Sequence, residues 1–532
     1  MIVAPSGEIL KRVVSLYTRR GLAALLSASL LAQPAAWAQV NLPALGDSVS
    51  AQVGIGEEKR LGDQVMRQIR VDPDYLDDPL LLEYVQASWT PLVQAAKQLG
   101  NISEDTADRF AWEIFLVRDR SVNAFALPGG YVGVHLGLIA MTSARDEMAS
   151  VLGHELSHIT QRHIARSIIG DSRTSLMATA GLLLGILAAA RSGNIDVANA
   201  AIVGSQAAAA QAQLNFSRDM EREADRVGFQ VMTQAGYAAG GMASMFERME
   251  QAYHLMDSGN YPYLRSHPLT SERIGDARAR LGTQPSYKLS GTSEHALMAA
   301  RSRVLMDARA EPWRQLQGLD AGTRQNQGWE PLAARYTSAL ASIKLREFGR
   351  AEAALKSAES LAGLLGADAG ARRLLVYLRA ELELARGQAS AGRAVLAALG
   401  SERSRPRLML QAQLARADAS ENAKREAADA LQTYLSLHAD DALGWQEIGP
   451  LWDQLGQPLR ALRAQGEARA ALGDIQGAID RLRSGLRQSR GREADQIEAA
   501  VIDARLRALL YERRQQLAEM YPRGVPAGME PQ

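Results

Sequence analysis

The chain has 532 residues, too many for one compact core, with 47% hydrophobic and 22% charged residues, as in an ordinary globular protein. Its 60 basic and 59 acidic residues leave a formal net charge of +1, which lends no support to a general nucleic-acid or membrane-surface binder. There are no cysteines, so disulfides, thiolate nucleophiles, cysteine zinc sites and a lipid-bearing cysteine are all excluded, and any metal must be held by His, Asp or Glu. Aromatic residues make up only 5% and alanine is abundant in the second half, which favours helices over a large sheet.

The N-terminus reads as an export signal. Lys11, Arg12, Arg19 and Arg20 form a basic region, Gly21 to Leu31 an apolar run, and Ala36-Trp37-Ala38 a small-residue cleavage site. The apolar run is short for a span of about 20 residues. Cleavage near Ala38 would send the remainder to the periplasm. A short polar leader follows to Ser50. Residues 55–100 then carry helical periodicity in Leu61, Val65 and Ile69 and in Leu80, Leu81, Tyr84 and Val85. Three strands are expected next, at 113–117, 123–127 and 131–134, the last two joined by the turn Pro128-Gly129-Gly130. A helix beginning near Ser143 is predicted to run past His163. Residues 174–213 are apolar and alanine-rich, with no charge from Leu176 to Ala190. They read as a lid or a hairpin on the core, with peripheral membrane contact as another reading.

Beyond residue 330 a helical repeat is expected. Trp445, Ile448, Gly449, Trp452, Gly456, Ala461 and Ala468 fall at the spacings of the tetratricopeptide pattern. Gly473 and Ala478 repeat the spacing of Gly456 and Ala461, and weaker units carry Ala351 with Ala358 and Gly387 with Gly392. Small residues there let paired helices approach closely.

The chemistry lies in His154-Glu155-Leu156-Ser157-His158, an H-E-x-x-H on a predicted helix. The i, i+4 spacing puts both imidazoles on one face, one turn apart, so both can reach one tetrahedral metal. Glu155 is placed to take a proton from an attacking water. The sixth residue after His158 is Ile164, which rules out a metzincin arrangement, and His163, turned off the ligand face, reads as a residue behind a ligand or at the surface. A third ligand is best sought in Ser217-Arg218-Asp219-Met220-Glu221-Arg222-Glu223-Ala224-Asp225. Glu221 and Asp225 share a helix face, suited to a ligand and to an acceptor for a ligand histidine's free N–H. Glu223 points elsewhere. Acidic helix starts are common, and spacing alone does not single out Glu221.

The His154–His158 helix followed by Ser-Arg-x-x-Glu-x-x-Ala-Asp resembles the gluzincin family of the heat-shock protease HtpX and the CaaX prenyl proteases. Its exported, repeat-bearing branch is the most similar. The resemblance implies one zinc per chain on His154, His158 and Glu221, with Glu155 as general base and Asp225 in support. It implies that Asn123, Ala124, Phe125 and Ala126 lie on a strand to which an extended substrate adds. It further implies that His267, in Ser266-His267-Pro268, can plug the fourth zinc position, and that Arg273 can stabilise an oxyanion. The implied partners are the outer-membrane barrel assembly machinery and unfolded outer-membrane proteins. The expected fold is mainly α with a small β-sheet: a gluzincin-type zinc peptidase domain followed by an α-solenoid of tetratricopeptide repeats. The expected order is a signal peptide over 1–38, the peptidase over 39–282, a linker and connecting helix over 283–329, the repeats over 330–521 and a disordered tail over 522–532. The rival reading is a repeat chaperone or adaptor whose zinc site is largely latent.

Overall fold

Apolar residues at 61, 65, 66 and 69 give the first helix, α1 (Ile55–Ile69), a single buried stripe. The computed structural model describes residues 54–168, 218–255, 262–282, 289, 291–325, 328–489 and 496–521. The expected signal peptide, the polar leader, the apolar segment 174–213 and the tail 522–532 lie outside the described residues. The helical periodicity read across 55–100 is interrupted at Asp72-Pro73-Asp74, where proline ends the helical run. A short strand follows there, β1 (Tyr75–Leu76), before α2 (Pro79–Gln98). Asp78 caps α2 by accepting the Leu81 N–H at 3.0 Å.

After α3 (Glu104–Arg109) come β2 (Glu113–Val117), β3 (Ala124–Leu127) and β4 (Tyr131–His135). The sheet order is β1-β2-β4-β3, with β2 and β4 parallel and the other pairs antiparallel. Gly129 and Gly130, at φ 77° and 88°, make the β3–β4 turn. Alternation along the strands serves two cores. Phe115, Leu127 and Tyr131 pack with the stripe of α1. Ile114, Leu116, Ala124, Val132 and Val134 face the main core with α2.

That core encloses α5 (Arg145–Thr160), reached through α4 (Leu136–Met141). Every residue of α5 from Glu147 to Ile159 is buried. The helix does not continue past His163. It ends at Thr160, Arg162 takes φ 52°, and a separate helix α6 (His163–Ile168) begins. The break is held by the buried Arg162 guanidinium, whose Nε and Nη2 bond Glu58 of α1 at 3.0 and 2.9 Å. Next come α7 (Arg218–Gln234), α8 (Gly240–Leu255), α9 (Pro262–Ser266) and α10 (Ser271–Ala279).

The rest of the described chain is helical: α11 (Ser293–Leu305), α12 (Ala310–Gln317), a 3₁₀ turn at Gly318–Gln325, then paired helices. The pairs are α13 (Glu330–Lys344) with α14 (Phe348–Leu364), α15 (Ala369–Ala385) with α16 (Ala389–Leu396), and α17 (Arg405–Ala417) with α18 (Glu421–Leu435). They continue with α19 (Ala442–Gln454) and α20 (Pro458–Ala471), then α21 (Ile475–Gln488) and α22 (Gln496–Met520). Trp445, Ile448, Trp452, Ala461 and Ala468 are buried together, and a Cβ on Gly449 would meet Ala464 Cβ at 3.6 Å. The segment expected as a linker contributes core residues, since Leu297, Met298, Ala300 and Val304 of α11 join α2 and α5 in the main cluster.

Three arginines tie later helices to the start of α2. Arg301 bonds Asp78 through Nε and Nη2 at 2.9 and 2.7 Å and also reaches Glu381 at 2.8 Å. Arg373 pairs with Glu83 at 2.6 Å, and Arg405 with Asp77 at 2.6 Å and Asp441 at 2.7 Å. Among the described residues no helix is long and apolar enough to cross a membrane.

Candidate metal centre

Two helices cross at glycine. A Cβ on Gly153 of α5 would meet the Gly228 carbonyl oxygen of α7 at 3.1 Å, and one on Gly228 would meet Gly153 C and O and His154 N at 3.0 Å. Without side chains at the crossing, the backbones approach closely enough for the side chains flanking it to converge. α5 supplies His154, Glu155 and His158, and α7 supplies Glu221 and Asp225 on its buried face.

The two histidines turn Nε2 towards one point, with Nε2 atoms 3.0 Å apart. Glu221 Oε2 lies 3.5 Å from His154 Nε2 and Oε1 lies 3.5 Å from His158 Nε2. His267, in the loop after α9, brings Nδ1 to 2.8 Å from Glu221 Oε1 and 3.3 Å from His154 Nε2. Ligand atoms of His154, His158, Glu221 and His267 all lie within 4.8 Å of one another, and all four residues are buried. Three nitrogens and a carboxylate oxygen suit tetrahedral zinc. Glu155 accepts the Ala126 N–H through Oε2 at 3.0 Å. Its buried Oε1 has no hydrogen-bond partner among the described residues and lies 3.6 Å from His267 Nε2. A buried carboxylate oxygen left open in this way is costly unless a cation or a water completes it. The donor set therefore fits one metal ion.

The electrostatics agree. Burial disfavours a charge on His154, but Glu221 and Asp225 outweigh it and raise its pKa to about 9. Burial also works against the Glu221 carboxylate, yet the histidines around it hold its pKa far below the ordinary range. These groups together favour positive charge at the centre, which a bound cation would supply. Burial pushes Glu155 above the ordinary carboxylate range against the pull of His267 and His154, the direction a general base at neutral pH requires. Burial holds His158 well below the usual imidazole range and so keeps it neutral, as a ligand must be.

Asp225 Oδ1 lies 2.9 Å from His154 Nδ1, so the imidazole can donate there while Nε2 stays free for a metal. Burial would raise the Asp225 pKa, but His154 and Arg273 hold it at about 2. Arg273 is buried with its donors engaged: Nε and Nη2 bond Asp225 at 2.7 and 2.8 Å, and Nη1 meets Glu221 Oε2 at 2.8 Å and the Pro268 carbonyl at 3.0 Å.

β3 is an edge strand among the described residues. The His135 N–H donates to Asn123 O, so by antiparallel alternation Ala124 and Ala126 direct their N–H and C=O groups to the open side. Ala126 spends its N–H on Glu155, which fastens the strand to the centre. Asn123 Oδ1 is buried without a hydrogen-bond partner among the described residues. Phe125 does not face the edge opening, because its ring covers Gly133 and meets Phe115 and His135 edge-on.

The sequence left His163 either behind a ligand or at the surface, and its position is the first; Glu223 lies off the ligand face as expected, with a partner the sequence did not give. His163 is fully buried beside His158, with Nδ1 atoms 2.9 Å apart, because the helix break at Arg162 swings it back towards the ligand. Glu223 meets it, Oε2 lying 3.1 Å from His163 Nε2 and 2.9 Å from Arg166 Nη1. Tyr263, missed in the sequence, stacks on His267 with centroids 4.7 Å apart and planes at 30°. No local pattern marks either contact, since each depends on how separate elements pack.

Residues 83–281 match the family model described as Peptidase family M48. The match takes in the whole of the metal centre, from the strand around Ala126 to Arg273. The chain carries within that stretch a buried group, His154, His158, Glu221 and His267, that could hold one metal ion. It is 29% identical over 472 residues to the beta-barrel assembly-enhancing protease of Escherichia coli (strain K12), covering 88% of this chain and 90% of that one. A relative from Vibrio cholerae is 34% identical over 324 residues, which span 59% of this chain and 62% of that protein, just under two thirds of its length. The mitochondrial metalloendopeptidase of Schizosaccharomyces pombe is 33% identical over 168 residues, covering 31% of this chain and 44% of that one.

Proposed function

We propose that the chain is a periplasmic zinc endopeptidase that degrades misfolded or stalled outer-membrane proteins and assists their assembly. The observation that carries the catalytic part is the buried convergence of His154, His158, Glu221 and His267, with Glu155 Oε1 3.6 Å from His267 Nε2. Bound zinc supplies a Lewis acid for the scissile carbonyl and for the attacking water. Glu155 accepts the proton of that water and hands it to the leaving amine. His154, His158 and Glu221 would hold the ion, which would displace the proton from His154, and Asp225 would keep that imidazole turned the right way. Arg273 braces Asp225 and Glu221. An oxyanion role would require one of its Nη donors to leave these partners. An extended substrate would add beside β3, using the Ala124 amide and carbonyl and the Ala126 carbonyl.

His267 is read as a plug in the remaining ligand position, held by Tyr263, so that the resting enzyme is latent. The adaptor reading is weaker, because an adaptor needs no open carboxylate at the metal. The substrate and partner classes rest on the description of the relatives, and the periplasmic address on that description together with the export signal expected over residues 1–38. Tetratricopeptide-like repeats over 330–521 would supply a concave surface for the assembly machinery. In support, successive first helices begin at Glu330, Ala369, Arg405, Ala442 and Ile475, 33 to 39 residues apart.

Glu155→Gln tests the mechanism. It is expected to keep one zinc per chain and to lose cleavage of an unfolded outer-membrane protein by about 10²- to 10⁴-fold. Cleavage at the native rate would refute the assignment of the base.

A further inference from the structure

His154 and His158 are alike in turning Nε2 inward, but what stands behind them differs. His154 Nδ1 meets a carboxylate, Asp225. His158 Nδ1 meets another imidazole nitrogen, His163 Nδ1, at 2.9 Å. One proton must sit between two such nitrogens, and its owner decides whether His158 can bind metal. His163 Nε2 faces the Glu223 carboxylate at 3.1 Å. A carboxylate only accepts, so His163 carries its proton on Nε2 and leaves Nδ1 as an acceptor. His158 must then donate from Nδ1, which leaves its Nε2 lone pair pointing at the centre. With the proton on His163 Nδ1 instead, His158 would keep N–H on Nε2 and could not ligate.

This arrangement is built deliberately into the backbone. A helix continued through residue 163 would carry its side chain about 140° around from His158. Arg162 instead adopts φ 52°, a conformation that costs a non-glycine residue of order 1 kcal/mol or more. Its guanidinium is anchored to Glu58, 104 residues earlier. Arg166, one turn into α6, bonds the same Glu223 oxygen and fixes the far end of the relay.

The geometry points to His163 as a positioning residue for the metal centre, with Glu223 behind it: the His158–His163–Glu223 relay sets the tautomer and ring plane that make His158 a ligand. This rests on the reading of His158 as a ligand. Outer partners of metal-bound histidines are generally worth 10- to 100-fold in metal affinity.

The test measures zinc affinity of the full chain by competition with a chelating indicator, alongside urea unfolding of the metal-free protein. His163→Phe is expected to weaken zinc by about 10- to 100-fold. His163→Asn, which keeps a side-chain acceptor, should recover part of the loss. Glu223→Gln should weaken zinc alone but add little in the His163→Phe background, because the relay is already cut. A purely structural role would give losses that follow stability and add in full. The proposal is overturned if folded His163→Phe binds zinc with native affinity, or if the two losses add. Should His163→Phe not fold, native affinity in Glu223→Gln overturns it. His158→Ala separates the underlying reading: stoichiometric zinc retained there would refute the ligand assignment itself.

Discussion

Adding one methyl group at Gly228 should damage the metal centre more than the fold. An alanine Cβ there would stand 3.0 Å from three backbone atoms, Gly153 C, Gly153 O and His154 N, whereas ordinary contact begins near 3.4 Å. Backbone on both sides cannot rotate away, so α5 and α7 must part by several tenths of an ångström. Overpacking of this kind costs about 1 to 3 kcal/mol. Removing a mid-helix glycine returns up to about 1 kcal/mol. The net loss of stability is therefore about 0 to 3 kcal/mol. The centre is less tolerant. Glu221 and Asp225 ride on α7 and the histidines on α5, and metal–ligand distances hold to about 0.2 Å. Zinc affinity should fall by about tenfold or more, and cleavage with it. The assay pairs a zinc competition titration with urea unfolding of the metal-free protein. Gly275→Ala in α10 is the control, because a Cβ there meets nothing within 4 Å. It should gain up to about 1 kcal/mol and leave zinc binding alone. Native zinc affinity in Gly228→Ala, with the full stability gain of the control, would refute the reasoning.

Two further outcomes are expected. His295 is buried with Nε2 donating to the Thr142 carbonyl and Nδ1 accepting the Tyr84 hydroxyl, and burial lowers its pKa to about 4. The unfolded chain protonates first, so this contribution is complete above about pH 6.5. It is lost at about 1.4 kcal/mol per pH unit as pH falls towards 4, about 3 kcal/mol in all. Urea unfolding of His295→Gln should be less stable at neutral pH but shallower in slope across that window, and an unchanged slope would count against the assignment. His267→Ala should raise basal proteolysis several-fold if the loop after α9 keeps the enzyme latent; unchanged or lower turnover of an unfolded substrate would point to a supporting role.

Much of the centre could be read locally because its geometry is local. The His154–His158 pair and the Glu221–Asp225 pair each follow from one helical turn, and the structure brings both pairs to one point. The strands at 113–117 and around 124–134 were legible from alternation and the Pro128-Gly129-Gly130 turn. The failures share a cause. The break at Arg162 is imposed by Glu58, far away in sequence, and nothing in residues 143–165 announces it. On a straight helix His163 stands either behind a ligand or at the surface, with nothing to choose between them, and Glu223 has no partner. β1 was missed because two residues give no periodicity, and their strand character comes from pairing with β2. Tyr263 was missed because it lies near the metal ligands only through the packing of α9, which no spacing rule describes; His267 beside it was named by the resemblance and not by spacing.

The arginine contacts at the start of α2 bear on how the enzyme can be dissected. Asp77, Asp78 and Glu83 stand at the threshold of the M48-matched region, while Arg301, Arg373 and Arg405 come from helices well beyond its end at residue 281. The apolar cluster around α5 likewise extends to Leu297, Leu332, Tyr336 and onward to Leu414. Excision at residue 282 would strip the counter-ion from a carboxylate that caps α2 and lay bare one side of the layer that supports the HExxH helix. A piece of this chain that keeps these contacts is therefore longer than the stretch that matches the family model.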